Sequence, residues 1–312
     1  MNKVINELVD AVGDILLGKE HQVKLALTCL FAQGHLLIED LPGMGKTTLA
    51  QCLATVLGLD YERVQFTSDL LPADILGVAV FNRNSSEFRF IQGPVFTQVL
   101  LADEINRTTP KTQSALLEAM EERQVTVEGE TRRLPEPFFV IATQNPLSQA
   151  GTYPLPESQL DRFLMRISLG YPSRSAEQQL FKGVDPRKRL KEVQPVIDRH
   201  LLAKIQHSVG EVKATDQLLD YLQRMVDFTR HDESFSYGLS PRGAMAWLKA
   251  AKAWAFLDGR EYLIPEDLQV VMSPVVAHRV RGLHAHSSAG RPENVRSLTD
   301  HLLASVDVLP PS

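Results

Sequence analysis

A chain of 312 residues, 44% apolar and 23% charged with a formal net charge of -5, has the composition of an ordinary folded protein and excludes a disordered, collagen-like or disulfide-stapled chain. The length exceeds that at which single cores usually stop growing, so two domains are expected. The negative charge disfavours a nucleic-acid footprint. No apolar stretch approaches the roughly 18 residues that span a bilayer, and the first seven residues lack a signal-peptide core, which together predict a cytoplasmic protein.

Val23, Leu27, Leu30 and Phe31 recur at helical spacing, and Leu36-Leu37-Ile38-Glu39 reads as a buried strand. The next stretch, Leu41-Pro42-Gly43-Met44-Gly45-Lys46-Thr47-Thr48, lies between that strand and a helix running through Leu49, Leu53 and Leu57 to Gly58. Arg63-Val64-Gln65-Phe66 predicts a second strand. The runs Val78-Ala79-Val80-Phe81 and Phe88-Arg89-Phe90-Ile91, around Asn82-Arg83-Asn84-Ser85-Ser86, predict a hairpin. Val99-Leu100-Leu101-Ala102 is a third strand, Pro110 through Glu122 a helix, the segments 125–127 and 131–134 a second hairpin, and Phe138-Phe139-Val140-Ile141-Ala142 a fourth strand. This alternation predicts an α/β fold with a parallel sheet covered on both faces. From about Pro172 onward the signal turns helical, around 197–209, 215–231, 241–257 and 265–280, with Asp185-Pro186-Arg187-Lys188-Arg189 in a charged connector. Cys29 and Cys52 fall in helical patterns without ligand spacing, so neither a disulfide nor a zinc site is expected.

A Gly-rich turn between a strand and a helix is the arrangement that aims several backbone N–H groups at a polyphosphate. Gly43 and Gly45 allow close approach, Lys46 adds a point charge for the outer phosphates, and the Thr47 hydroxyl is the expected magnesium ligand. The first glycine of the general pattern G-x-x-x-x-G-K-[ST] is here Asp40. Asp103 and Glu104 close the third strand, at the carboxyl end where parallel sheets bind ligands. Asp103 is expected to hold magnesium through its waters, and Glu104 to polarise the attacking water. Asn145, at the end of the fourth strand in Thr143-Gln144-Asn145-Pro146, is placed to bond that water and the γ-phosphate. Arg162, in Gln159-Leu160-Asp161-Arg162-Phe163, is the candidate for a neighbouring subunit's γ-phosphate. Arg242 is presented at a helix start capped by Ser240 with Pro241 in its first turn, near where the small domain is expected to face the nucleotide.

In this order the motifs resemble those of an AAA+ ATPase, and more closely the MoxR family. The resemblance is carried by the run from Ala102-Asp103-Glu104-Ile105-Asn106-Arg107 through Leu116-Leu117-Glu118-Ala119-Met120-Glu121-Glu122-Arg123-Gln124-Val125, and by Ala142-Thr143-Gln144-Asn145-Pro146 followed by Gly151-Thr152-Tyr153-Pro154-Leu155-Pro156-Glu157. The similarity spans roughly residues 10–280. It implies a P-loop NTPase core over 1–172, a connector over 173–192 and a small all-α lid over 193–312. It further implies Walker A at 43–48, Walker B at Asp103 and Glu104, sensor 1 at Asn145, an arginine finger at Arg162, sensor 2 at Arg242, and an adenine pocket lined by Leu17-Gly18. The hairpin near 78–91 corresponds to the family's insert in its second helix, and the one near 125–134 to the insert before sensor 1.

The expected activity is ATP hydrolysis with magnesium in a ring, expected as a hexamer, that remodels or activates a partner protein. The resemblance suggests partners with a von Willebrand factor A domain and a chaperone-like role in maturing metal-dependent enzymes. A nucleic-acid motor or loader is the alternative, but Arg132 and Arg133 on the second hairpin are opposed by Glu128 and Glu130. A nucleotide-gated scaffold without turnover is disfavoured by Glu104, Asn145 and Arg162 occurring together.

Overall fold

The computed structural model describes residues 2–309 except 84–85, 147–150, 184 and 283–291, with backbone only at 187 and 292–297. Two helices, Asn2–Gly13 and Glu20–Phe31, precede strand β1 (Leu36–Glu39), and the helix Lys46–Val56 carries the chain to β2 (Tyr61–Gln65). A short helix, Pro72–Leu76, leads into a hairpin of β3 (Gly77–Asn82) and β4 (Glu87–Gln92), then β5 (Val99–Asp103) and the helix Pro110–Glu122. A second hairpin, β6 (Gln124–Val127) and β7 (Glu130–Arg133), precedes β8 (Phe139–Gln144), and a turn of helix, Glu157–Leu160, precedes β9 (Met165–Ile167). Asn84 and Ser85 of the expected first hairpin tip lie outside the described residues.

Five strands form one parallel sheet in the order β2-β5-β8-β1-β9. Every residue of the central strands β5 and β8 is buried, as expected of strands covered on both faces. One face packs against the helices Glu20–Phe31 and Lys46–Val56, and the other against the helix Pro110–Glu122 through Leu116, Leu117 and Met120. The strand β9 is absent from the sequence-based expectation. Three residues with two buried positions, in the run Leu164-Met165-Arg166-Ile167, are too short to stand out by periodicity.

Beyond residue 173 the chain is helical, as expected, over Arg199–Gly210, Asp216–His231, Pro241–Leu257 and Pro265–Val276. Two departures are local. The connector forms two helices, Arg174–Phe181 and Pro186–Glu192, the first capped by the Ser173 hydroxyl on the Ala176 amide. A two-stranded ladder joins β10 (Phe235–Tyr237) to β11 (Arg281–Gly282). The helix Pro265–Val276 packs beside β9, and Pro241–Leu257 against Glu20–Phe31, so the apolar core runs without interruption from the sheet into the helical region.

Two histidines sit inside this packing. His35 accepts a hydrogen bond at Nδ1 from the Val140 amide (2.9 Å) and donates from Nε2 to the Met120 carbonyl (3.3 Å), while His278 donates from Nε2 to the Phe163 carbonyl (3.0 Å). Burial disfavours the charged ring at both, lowering His35 from 6.5 to about 4 and His278 well below 6.5. The unfolded chain binds protons at these rings near pH 6.5, whereas the folded chain does not. Their contribution to stability is therefore complete above that pH and is lost as pH falls toward the folded values. Between about pH 6 and 5, unfolding free energy from urea titrations should fall by up to ~1.4 kcal/mol per pH unit for each ring. The slope should be shallower in His35→Gln, and a flat profile in the parent protein would contradict the assignment.

Candidate active site

The parallel register places four strand ends side by side. Glu39 of β1 pairs in register with Gln144 of β8, and Gln65 of β2 with Asp103 of β5. The loop 40–45 leaves β1 at this edge and enters the helix Lys46–Val56. Gly43 and Gly45 adopt left-handed φ angles of 84° and 91°, conformations that strain any residue with a Cβ. The space over Gly43 is open, with no heavy atom within 4 Å of where a Cβ would stand. The first-turn N–H groups of the helix have no intrahelical partners, which together with the helix dipole suits a phosphate.

Lys46 is buried, and its Nζ donates to the Asp40 carbonyl (2.6 Å) and to Asn145 Oδ1 (3.1 Å). Desolvation lowers its pKa below the ordinary lysine value, opposed by the charges of Asp103, Asp40, Glu104 and Glu39. Asp40, the departure from the general phosphate-loop pattern, acts as a tether. Its Oδ1 accepts from the Leu41 amide (2.9 Å), and its Oδ2 from the Gly170 amide (2.6 Å) and the Ser168 hydroxyl (3.1 Å). The first residue of the loop is thereby tied to the segment following β9, where Lys19 also bonds the Leu169 and Gly170 carbonyls.

The carboxylates are held by side chains from neighbouring strands. Asp103 Oδ1 accepts from the Thr143 hydroxyl (2.6 Å), and Oδ2 from Arg63 Nη2 (2.7 Å) and Nε (3.2 Å). Glu104 Oε1 accepts from Asn145 Nδ2 (2.9 Å) and Oε2 from Gln65 Nε2 (2.9 Å), and Arg107 Nε forms an ion pair with Oε2 at 3.1 Å. Glu104 has φ 58° and ψ 49°, a left-handed backbone that costs an L-residue energy unless its surroundings impose it. The Thr143 hydroxyl imposes it here by accepting from the Glu104 amide (2.8 Å) while donating to Asp103. One hydroxyl thus ties the Asp103 carboxylate and the Glu104 backbone to β8.

A cavity of about 490 Å³ gathers Leu17, Pro42, Gly43, Met44, Gly45, Lys46, Thr47, Thr48, Asp103, Glu104 and Asn145, together with Arg63, Gln65, Pro172 and the helix residues Ala176 and Leu180. Gly18 lines an adjoining cavity that shares Leu17 and Ala176. Its φ is 69°, and a Cβ there would stand 2.9 Å from Ser173 Oγ. The residues present fit a magnesium nucleotide. The loop is an open anion cradle, Thr47 and Asp103 are hard oxygen donors beside it, and Ile15, Leu16, Met44, Pro172 and Leu180 form an apolar wall suited to a base.

Arg162 and Arg242 lie elsewhere. They share Glu121, with Arg162 Nη1 2.6 Å from Oε2 and Arg242 Nη1 3.0 Å from Oε1, and Arg162 also donates to the Leu117 carbonyl (2.7 Å). The cavity of about 210 Å³ around this pair has no lining residue in common with the phosphate-loop cavity. The sequence reading did not assign roles to Arg63, Gln65, Arg107, Glu121 or Thr143. Gln65 and Arg63 alternate along an edge strand, and only knowledge that β2 neighbours β5 turns that alternation into a signal.

Residues 35–165 match the family model of the ATPases associated with various cellular activities, and residues 227–299 that of the AAA lid domain. The chain is 44% identical over 280 residues to the uncharacterized protein YeaC of Bacillus subtilis, covering 90% of this chain and 88% of that protein. It is 39% identical to Chaperone MoxR1 of Mycobacterium tuberculosis, covering 86% of this chain and 73% of the relative. It is 32% identical to Protein MoxR of Methylorubrum extorquens, covering 86% and 85%. A crystal structure from Cytophaga hutchinsonii, provisionally assigned as an ATPase, superposes with a TM-score of 0.88 at 35% identity, covering 99% of this chain and 96% of that one.

The Thr143 hydroxyl holds the Asp103 carboxylate and the Glu104 backbone amide, so its loss should displace the acidic pair while sparing the phosphate cradle. Thr143→Val should lower ATP turnover by about 100-fold, the scale on which small misplacements of reacting groups are felt. ATP affinity measured by isothermal titration should stay within about threefold. Turnover near the parent value would remove Thr143 from this role.

Proposed function

Because the chain belongs to the MoxR family of AAA+ ATPases, we propose that it binds ATP with magnesium and hydrolyses it within a ring, a hexamer, to remodel or activate a partner protein. The observation that carries this reading is the bonded series Lys46, Asn145, Glu104, which brings a phosphate-facing cation, an amide and a carboxylate together at one end of the sheet. ATP supplies the phosphoanhydride when bound, and magnesium the charge that offsets its oxygens. Lys46 is the group for the outer phosphates, and Thr47 and Asp103 the oxygens for the metal. Glu104 takes the water's proton, and Asn145 orients that water against the terminal phosphate. In this reading residues 1–172 are the nucleotide-binding core, 173–192 the connector and 193–312 the lid. The protein works in the cytoplasm, a setting in keeping with two buried free thiols, Cys29 and Cys52; none of the described helices is long and apolar enough to cross a membrane.

A protein partner is favoured over nucleic acid by the hairpins. Phe81, Phe88 and Ile91 are exposed on β3 and β4, and Arg132 of the second hairpin is engaged by Glu130 and stacked over the Phe90 ring at 4.0 Å. A partner with a von Willebrand factor A domain rests on the family resemblance. Capture with Glu104→Gln in the presence of ATP tests it. Lys46→Ala should abolish ATP binding, whereas Glu104→Gln should retain affinity and lose hydrolysis by about 100-fold or more. Isothermal titration beside a phosphate-release assay separates the two, and near-normal turnover in Glu104→Gln would remove it as the base.

Arg162 and Arg242 serve the neighbouring subunit's nucleotide, a reading supported by their joint attachment to Glu121 away from their own phosphate loop. Mixed rings distinguish the possibilities. Lys46→Ala subunits should restore hydrolysis to both Arg162→Ala and Arg242→Ala. Rings mixing Arg162→Ala with Arg242→Ala should stay inactive, because no interface then holds both arginines. Activity in that last mixture would return Arg242 to its own subunit's nucleotide.

A further inference from the structure

Arg279 follows the C-terminal end of the helix Pro265–Val276, and its side chain is only 4% exposed. Its guanidinium uses all of its donors. Nε donates to Asp161 Oδ1 (2.7 Å), Nη2 to the carbonyls of Phe163 (2.6 Å) and Asp161 (3.2 Å), and Nη1 to the Leu164 carbonyl (3.1 Å) and to the Val275 carbonyl. The neighbouring His278 adds a second donor to the Phe163 carbonyl. Four of the five Arg279 bonds therefore fall on residues 161–164, the stretch that carries Arg162.

Burying a guanidinium opposes its charged state, and Asp161 offsets that cost by pairing with it. A lysine would offer three donors without the planar fork and could not serve five acceptors. An apolar side chain would pack the same space without fixing the backbone. The residues flanking Arg162 are consequently held from the helical region and not from the sheet alone. The other Asp161 oxygen lies 3.8 Å from Arg242 Nε, so a single carboxylate faces both Arg279 and Arg242.

We infer that Arg279 is a positioning residue for the arginine pair: through Asp161 and the carbonyls of 161–164 it locks Arg162 and Arg242 into one unit with the helix Pro265–Val276, so that displacement of the helical region is transmitted to the neighbour-facing arginines. The inference rests on the reading of Arg162 as a catalytic arginine. It adds a residue that touches no nucleotide and sets where that arginine points.

The test compares Arg279→Lys, Asp161→Asn and Arg162→Ala in the full-length protein, alone and in pairs. Both positioning variants should lower kcat by about 10- to 100-fold. KM for ATP and directly titrated ATP affinity should stay within about twofold, because the cluster and the phosphate-loop cavity share no residue. In an Arg162→Ala background, Arg279→Lys should cost little more, the non-additivity expected of groups acting as one. In mixed rings, Arg279→Lys should regain activity with Lys46→Ala and none with Arg162→Ala. Full additivity with Arg162→Ala, a loss of ATP affinity matching the loss of rate, or an Asp161→Asn protein with unchanged kcat would each overturn the inference. Should Arg279→Lys fail to fold, Asp161→Asn alone decides it, since it keeps shape and volume while removing the charge. An Arg162→Ala protein with normal kcat would instead defeat the catalytic-arginine reading, and the two failures are told apart by that single variant.

Discussion

The register of three parallel strands is the constraint from which the site follows. β1, β5 and β8 are adjacent, and their carboxyl ends deliver the phosphate loop, the acidic pair and Asn145 to one edge. Side chains alternate across a strand, so a one-residue slip of β8 against β5 would turn Thr143 away from Asp103 and break its bonds to the Asp103 carboxylate and the Glu104 amide. Such a slip is opposed by burial of every residue of β5 and β8, which would have to exchange faces in the core. The apolar packing that stabilises the sheet is thus also what sets the polar geometry at its end.

That polar geometry is closed on itself. Lys46 bonds Asn145, Asn145 bonds Glu104, and Glu104 is further held by Gln65 and Arg107. Each group carries charge or dipole into a partly desolvated place and is matched there by a partner, as buried polar groups must be. A ligand entering the loop has to exchange these bonds for its own, which ties the arrangement of Glu104 to whatever stands over Lys46. Asp40 belongs to the same economy. Where the general motif has glycine, its carboxylate anchors the loop to the segment after β9, leaving Gly43 and Gly45 to keep the loop open.

The two arginines form a separate centre whose composition follows from helix ends meeting. Glu121 stands at the end of the helix Pro110–Glu122, Arg162 follows the turn Glu157–Leu160, Arg242 opens the helix Pro241–Leu257 and Arg279 follows the helix Pro265–Val276. Four charged side chains from four elements converge with Asp161 among them. Such convergence gathers positive charge at a surface distinct from the chain's own phosphate loop, where the carboxylates of Glu121 and Asp161 offset part of it.

Much of the candidate nucleotide site was legible along the chain because its parts are local. A phosphate loop is eight consecutive residues whose chemistry follows from glycines, a lysine and a hydroxyl, and apolar runs ending in Asp103-Glu104 or Thr143-Gln144-Asn145 mark strand ends without reference to anything distant. The helix Pro110–Glu122 and the four long helices after residue 193 were legible for the same reason, since period and caps are short-range signals. Neither β9 nor the roles of Gln65, Arg63, Glu121 and Arg279 could be read that way. Each depends on which element lies next to which: Gln65 and Arg63 act because β2 neighbours β5, and Arg279 acts because its helix end meets a turn 118 residues earlier in the chain. The sequence by itself determined the phosphate loop, the acidic pair and the order of helices and strands. Only the tertiary structure decided which side chains hold those groups and that the two arginines stand together on one carboxylate, because contacts between distant segments are set by how whole elements pack.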